Sequence, residues 1–154
     1  MDAEVYPDSH VATFVGENFI PVRVHVKEQA DEFQRLGDRF SAHWTPTTLV
    51  IDPSGEERHR IEGFLPAHDF IGQLALGLAH SAFNRGDYAE AERRFREVER
   101  RHEGSDAGAE AQYWSGVSRY KQTHDPADLA EIGRRFRERY SDSVWATKAS
   151  VWQK

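Results

Sequence analysis

The sequence predicts an α/β fold in the first half of the chain and an all-α helical module in the second half. In the first half, segments with helical spacing alternate with short runs of β-branched residues, as in a sheet covered by helices. In the second half, apolar residues recur at helical spacing between capping residues and glycines. With 154 residues and 38% hydrophobic side chains, the chain is large enough for a real core.

The first elements are a helix, a strand and a second helix. Asp8 is placed to cap a short helix. In residues 20–26, Ile20, Val22, Val24 and Val26 alternate with proline, arginine and histidine, which predicts a strand with one buried face. Residues 30–40 carry Phe33, Leu36 and Phe40 at helical spacing and predict the next helix.

A hairpin follows. The β-branched run at residues 47–51 predicts one strand, and residues 57–62 predict its partner. Between them, Asp52-Pro53-Ser54-Gly55 has proline and glycine at the positions that favour a tight turn. Gly63 is expected to end the second strand.

The second half is predicted to be a series of helices. Pro66 opens a long one that stops at Asn84-Arg85-Gly86, and later helices begin after typical capping residues. These later starts are at Asp87, Ser105, Asp125 and the segment 141–143. A weak repeat, with offsets of about 36 to 41 residues, indicates stacked helical hairpins. The predicted domains are residues 1–80 and 81–154.

The first half resembles the thioredoxin fold. The order of its elements matches, as do Trp44-Thr45-Pro46-Thr47, the turn at residues 52–55 and Gly63. The resemblance implies a cis-proline at Pro46 that starts a strand. Thioredoxin-like proteins begin with a strand and a Cys-x-x-Cys ahead of the segment that Met1–Asp8 resembles, so the resemblance also implies a truncated central sheet.

The second half is similar to tetratricopeptide-type repeats. Tyr88, Ala91 and Phe95 follow the spacing of that group loosely, and residues 140–146 resemble its turn between repeats. The resemblance implies a helical scaffold.

Composition excludes several functions. The chain has no cysteine, so it cannot run thiol chemistry and is not expected to be an enzyme as it stands. Its eight histidines show no HExxH motif, and we expect no metal site and no cofactor. The net charge of −6 argues against nucleic-acid binding, and the arginine-rich run at residues 93–96 is balanced by Glu90, Glu92 and Glu97 at helical spacing.

The sequence contains no membrane segment that we can identify. It lacks a run of about 18 apolar residues, and its first residues do not form a signal peptide. We expect a cytoplasmic protein, unless an upstream signal sequence was lost with the N-terminus.

The candidate site is a peptide groove at Trp44, Thr45, Pro46 and Thr47. In the thioredoxin family, the main chain of the residue before the cis-proline, here Thr45, pairs with a substrate strand. Alternatively, the proline only shapes the start of a strand, and Trp44 belongs to the core. The aromatic residues of the second half form either a partner-binding face or, more in keeping with their spacing, core packing; these are Tyr113, Trp114, Tyr120, Trp145 and Trp152.

Two functions remain open. The first is a non-catalytic protein-interaction or scaffolding module, whose partner is a protein or peptide. The alternative is the redox-dead remainder of a thiol-disulfide oxidoreductase whose Cys-x-x-Cys lies upstream of Met1. In either case the missing strand bares an edge of the sheet, and we expect a homodimer that covers it.

Overall fold

A computed structural model of the chain describes Met1 and residues 3–152. The chain divides into two units, Met1–Ile71 and Gly72–Lys154. The first unit contains a two-stranded sheet, a feature of the truncated thioredoxin-like fold predicted above. The elements are α1 (Ser9–Asn18), α2 (Ala30–Phe40), β1 (Thr47–Ile51), β2 (Glu57–Glu62), α3 (Ala67–Asn84), α4 (Tyr88–Arg101), α5 (Asp106–Thr123), α6 (Pro126–Arg139), α7 (Val144–Ala149) and a 3₁₀ turn (Ser150–Trp152).

Local hydrogen bonds fix the helices of the first unit. The Asp8 carboxylate accepts from the backbone N–H groups of His10 and Val11, at 2.8 and 3.2 Å, and so caps α1 as predicted. Helix α2 ends where Ser41 turns into the left-handed region, at φ 52°. The Arg60 guanidinium donates to the carbonyls of Phe40 and Ser41, which ties the end of α2 to β2.

The hairpin forms as predicted. Strands β1 and β2 are antiparallel, with Thr47 opposite Glu62 and Val50 opposite His59. The buried Asp52 carboxylate holds the turn, because it accepts from the N–H and hydroxyl of Ser54, the N–H of Glu56 and the Arg58 guanidinium. Gly55 adopts φ 84°, a conformation that favours glycine.

The predicted strand at residues 20–26 is wrong. Residues 19–25 form neither helix nor strand, and residues 26–29 form a turn. A strand exists only when a neighbour supplies hydrogen bonds, and β1 and β2 pair with each other in the two-stranded sheet of the described residues. Ile20 and Val22 are therefore left 94% and 82% exposed instead of buried on one face.

The helices of the second unit begin at the predicted caps. The side chains of Asp87, Ser105, Asp125 and Ser143 each accept from a backbone N–H in the first turn of the helix that follows. The predicted ion pairs along α4 are also present. The hydrogen bond from Arg93, helped by Arg94, lowers the pKa of Glu90 to about 2, so this face is a solvated charge network.

Two apolar clusters hold the second unit together. Phe95 is fully buried in the first, with Trp114 packed against the cluster. In the second, Phe136 is fully buried, and the Tyr113 ring lies 5.1 Å from that of Trp145 and 5.0 Å from that of Trp152. The four aromatic side chains Tyr113, Trp114, Trp145 and Trp152 therefore pack against the core.

Candidate peptide-binding edge

The four residues of the predicted groove form the entry into β1. The peptide bond between Thr45 and Pro46 is cis, and the strand begins at the next residue. The Thr47 hydroxyl donates to the Trp44 carbonyl at 2.8 Å, and the Gly63 N–H donates to the Pro46 carbonyl at 2.9 Å. The segment is thereby fixed to itself and to the residue that follows β2. Its role in binding a peptide stays a prediction.

The side chain and the main chain at the start of this segment face solvent. Trp44 is 75% exposed, so the indole is not a core residue in this structure. Thr45 is also exposed, and its backbone N–H and C=O make no hydrogen bond within the described part of the chain. The segment thus offers an aromatic surface beside unpaired main-chain groups.

Strand β1 has an open edge. Among the described residues, β2 is its one strand partner, and Val50 is its one buried side chain. An unpaired edge presents a row of N–H and C=O groups that can bind another extended chain. The edge continues directly from Thr45 and Pro46, so one ligand strand could use both.

The segment that fails to form a strand adds an apolar surface to the first unit. Ile20 and Val22 are exposed, and their backbone groups make no hydrogen bond to other described residues. The alternating pattern of this segment predicted a strand whose apolar face is buried. The structure instead leaves these two side chains available for contact with another chain.

The Asp52 carboxylate of the first unit is held in place by the donors of its own turn. Hydrogen bonds from the Ser54 hydroxyl and the Arg58 guanidinium, against the effect of burial, hold the pKa of Asp52 well below its usual range. This carboxylate is therefore ionised at neutral pH and is occupied by the turn.

The second unit contains a histidine–carboxylate pair. His80 Nε2 lies 2.8 Å from Glu110 Oε1, and the imidazole packs edge-on against Phe95 and Trp114, at 5.0 and 5.2 Å between ring centres. Within the second unit, this pair offers two of the three or four ligand atoms that a zinc ion takes. The absence of a cofactor stays a prediction.

The described part of the chain contains no helix long and apolar enough to cross a membrane. A family model described as a thioredoxin-like domain matches residues 1–77. No curated protein and no solved structure matches the chain.

Proposed function

Because the chain belongs to the thioredoxin-like domain family, we propose that its first unit is a non-catalytic interaction domain that binds an extended segment of a partner protein. The segment would add a strand to the open edge of β1. The observation that carries this proposal is the unpaired edge next to an exposed Trp44 and an unpaired Thr45 main chain.

Strand addition explains both kinds of exposed group in this unit. Main-chain hydrogen bonds from β1 and Thr45 would provide affinity without regard to sequence. Apolar side chains at alternate positions of the ligand would cover Ile20, Val22 and Trp44, and these contacts would provide selectivity.

The charge of the first unit indicates which partners are favoured. This unit carries 13 acidic and 6 basic residues. Long-range attraction therefore favours a segment with lysine or arginine at its outward positions. The second unit, similar to tetratricopeptide-type hairpins, would serve as the scaffold that presents this domain.

A redox role remains the second candidate. The cis bond before Pro46 stands at the start of β1, the position at which thioredoxin-like enzymes hold a substrate strand. On this hypothesis, the strand that completes the sheet is encoded upstream of Met1 and carries Cys-x-x-Cys. The reading frame ahead of Met1 decides the matter, because a strand pattern with two cysteines must be present there.

The interaction proposal is tested by selecting ten-residue peptides from a display library on the full chain. We expect the selected peptides to carry apolar residues at alternate positions and basic residues between them. Hydrogen–deuterium exchange of the β1 amides should slow when such a peptide binds. Peptides that bind without protecting β1 would refute strand addition.

Two variants separate the apolar surface from a general effect of charge. Val22→Lys should weaken binding of a selected peptide by about tenfold, because it places a cation where an apolar contact is expected. Val144→Lys, at a similarly exposed valine of the second unit, should leave binding unchanged. Equal effects of the two variants would contradict the proposed surface.

The same edge is available to a second copy of the chain. Sedimentation velocity over a range of concentrations tests this occupant. A dimer that the Val22→Lys substitution dissociates would mean that the edge pairs with itself. A monomer at high concentration would rule out the homodimer and leave the peptide proposal standing.

A further inference from the structure

The segment at residues 20–26 enters from an extended backbone and pairs with no strand among the described residues. Phe19, which leads into it, has φ −136° and ψ 160°, the geometry of a β-strand. The N–H and C=O groups of Ile20, Val22 and Val24 make no hydrogen bond to other described residues. The segment therefore has main-chain groups that a neighbouring strand could bind.

A proline determines which side of this segment can pair. In a strand, the N–H and C=O of one residue point to one side, and those of the next residue point to the other side. Pro21 has no N–H, so its side must face away from a partner strand. His25 lies on that same side, and its N–H and C=O are already bonded to Gln29. The pairing side is therefore that of Val22 and Val24.

Strand β1 offers a matching set of main-chain groups on its open edge. The Pro46 C=O accepts from the Gly63 N–H across the hairpin, at 2.9 Å. By the alternation of the antiparallel ladder, the main-chain groups of Thr47 and Leu49 then face away from β2. Two residues of any strand span about 6.7 Å, so the spacing of these groups matches that of the pairing side of the segment.

The side chains of the segment match the ligand expected for the β1 edge. Apolar side chains stand at its alternate positions, and the positions between them carry Arg23 and His25, with Lys27 next. Residues 20–27 contain no acidic residue, whereas the first unit carries 13 acidic and 6 basic residues. The segment is therefore complementary in charge to the unit that would bind it.

We propose, on the basis of the strand addition proposed above, that residues 20–26 of one copy of this chain add as a strand to β1 of a second copy. The second copy returns the exchange, so each copy both donates and accepts a strand around a two-fold axis. The exchange pairs the open edge of β1 with the one side of the segment that can pair. It also removes Ile20 and Val22 from solvent.

Hydrogen–deuterium exchange of the full chain, read by NMR, tests which groups pair. Sedimentation velocity should first show a dimer whose population grows with concentration. In the dimer, the amides of Val22 and Val24 and those of Thr47 and Leu49 should exchange at least about tenfold more slowly than in the dilute monomer. The Val50 amide is the control, because it faces β2 in both states and should change little.

Competition by a peptide tests the segment itself. The probe is a capped peptide with the sequence of residues 19–27, and it should convert the dimer to a peptide-bound monomer. Methylation of the Val24 backbone nitrogen removes a donor from the pairing side and should weaken competition at least about tenfold. Methylation of the Arg23 nitrogen is the matched control, because that side faces away from β1, and it should change competition little.

Four results would overturn the exchange. A monomer at millimolar concentration would do so, and it would leave strand addition standing if peptides selected by display still protect the β1 amides. A dimer with protected Thr47 and unprotected Val24 would mean that two β1 edges pair with each other. A monomer with protected Val24 would mean that the segment pairs within its own chain. Equal competition by the two methylated peptides would refute the assigned pairing side.

Discussion

Helices α5 and α6 approach each other so closely at Gly116 that even one methyl group does not fit. A Cβ atom on Gly116 would lie 2.5 Å from the Cδ1 of Ile132 and nearer still to its Cγ1. Carbon atoms normally pack at about 3.5–4.0 Å. Because Ile132 is 2% exposed within the second apolar cluster, it has little room to move away.

The substitution Gly116→Ala therefore sets two effects against each other. Alanine in a helix interior gains up to about 1 kcal/mol over glycine. Overpacking a buried site costs about 1–3 kcal/mol and occasionally more, and here the overlap exceeds 1 Å. We expect the overlap to dominate, with a net loss of about 1–2 kcal/mol in the free energy of unfolding.

Urea unfolding followed by tryptophan fluorescence measures this loss. Three of the four tryptophans, Trp114, Trp145 and Trp152, lie in the second unit. The midpoint should fall while the slope m stays unchanged. Gly16→Ala is the control, because a Cβ at Gly16 of α1 meets nothing within 4 Å. Unfolding of this variant followed by circular dichroism should show a free energy of unfolding that is about 0.5–1 kcal/mol higher.

A double variant distinguishes steric overlap from any other effect at Gly116. Ile132→Ala alone should cost about 2–5 kcal/mol, because it leaves a cavity. In the double variant, the methyl group that Gly116→Ala introduces occupies part of that space. The loss in free energy of unfolding should therefore be at least about 1 kcal/mol smaller than the sum of the losses of the two single variants. An additive result, or a stabilising Gly116→Ala, would refute the close approach of the helices.

Two further predictions concern one core residue and one buried carboxylate. Phe95→Ala should lower the free energy of unfolding in urea by about 3–5 kcal/mol, because the ring is fully buried. Phe64→Ala is the control and should be close to neutral, because that side chain is 53% exposed. Similar losses for the two variants would contradict the assigned core. The Ser54 hydroxyl and the other donors keep the pKa of Asp52 low in the folded state, so its contribution to stability is complete well above the unfolded value of 3.8 and is lost progressively as pH falls through that value towards the lower folded pKa. Asp52→Asn should lower Tm at pH 7 and flatten the decline in Tm between pH 5 and pH 2.5, and an unchanged decline would show that other carboxylates cause it.

Elements whose causes are local could be predicted from the sequence. Asp8, Asp87 and Ser105 each accept from an N–H two or three residues further along, so the information that starts the helix lies in the same short stretch. The turn at Asp52 is local in the same way. These contacts do not depend on which other element packs nearby.

The buried side-chain amide of Gln112 in α5, which has no hydrogen-bond partner among the described residues, could not be predicted in this way. A glutamine within a helix gives no signal, since most glutamines on helices are solvated. Its isolation arises because α4 and α6 close around it without offering a donor or an acceptor. That outcome depends on how α4 and α6 pack against α5, which hydrophobic periodicity does not determine.

The strand predicted at residues 20–26 was wrong for a different reason, and that reason supports the proposed function. Alternation of apolar and polar side chains records which face of a strand is buried, but it carries no information about which chain supplies the neighbouring strand. Here the pattern is intact but no strand of the described residues pairs with it, so Ile20 and Val22 are exposed to solvent. Exposed apolar side chains in a period-two pattern are costly for an isolated domain and useful for one that adds a strand. Under the proposed function, an extended chain bound at the edge of β1 would cover these two side chains.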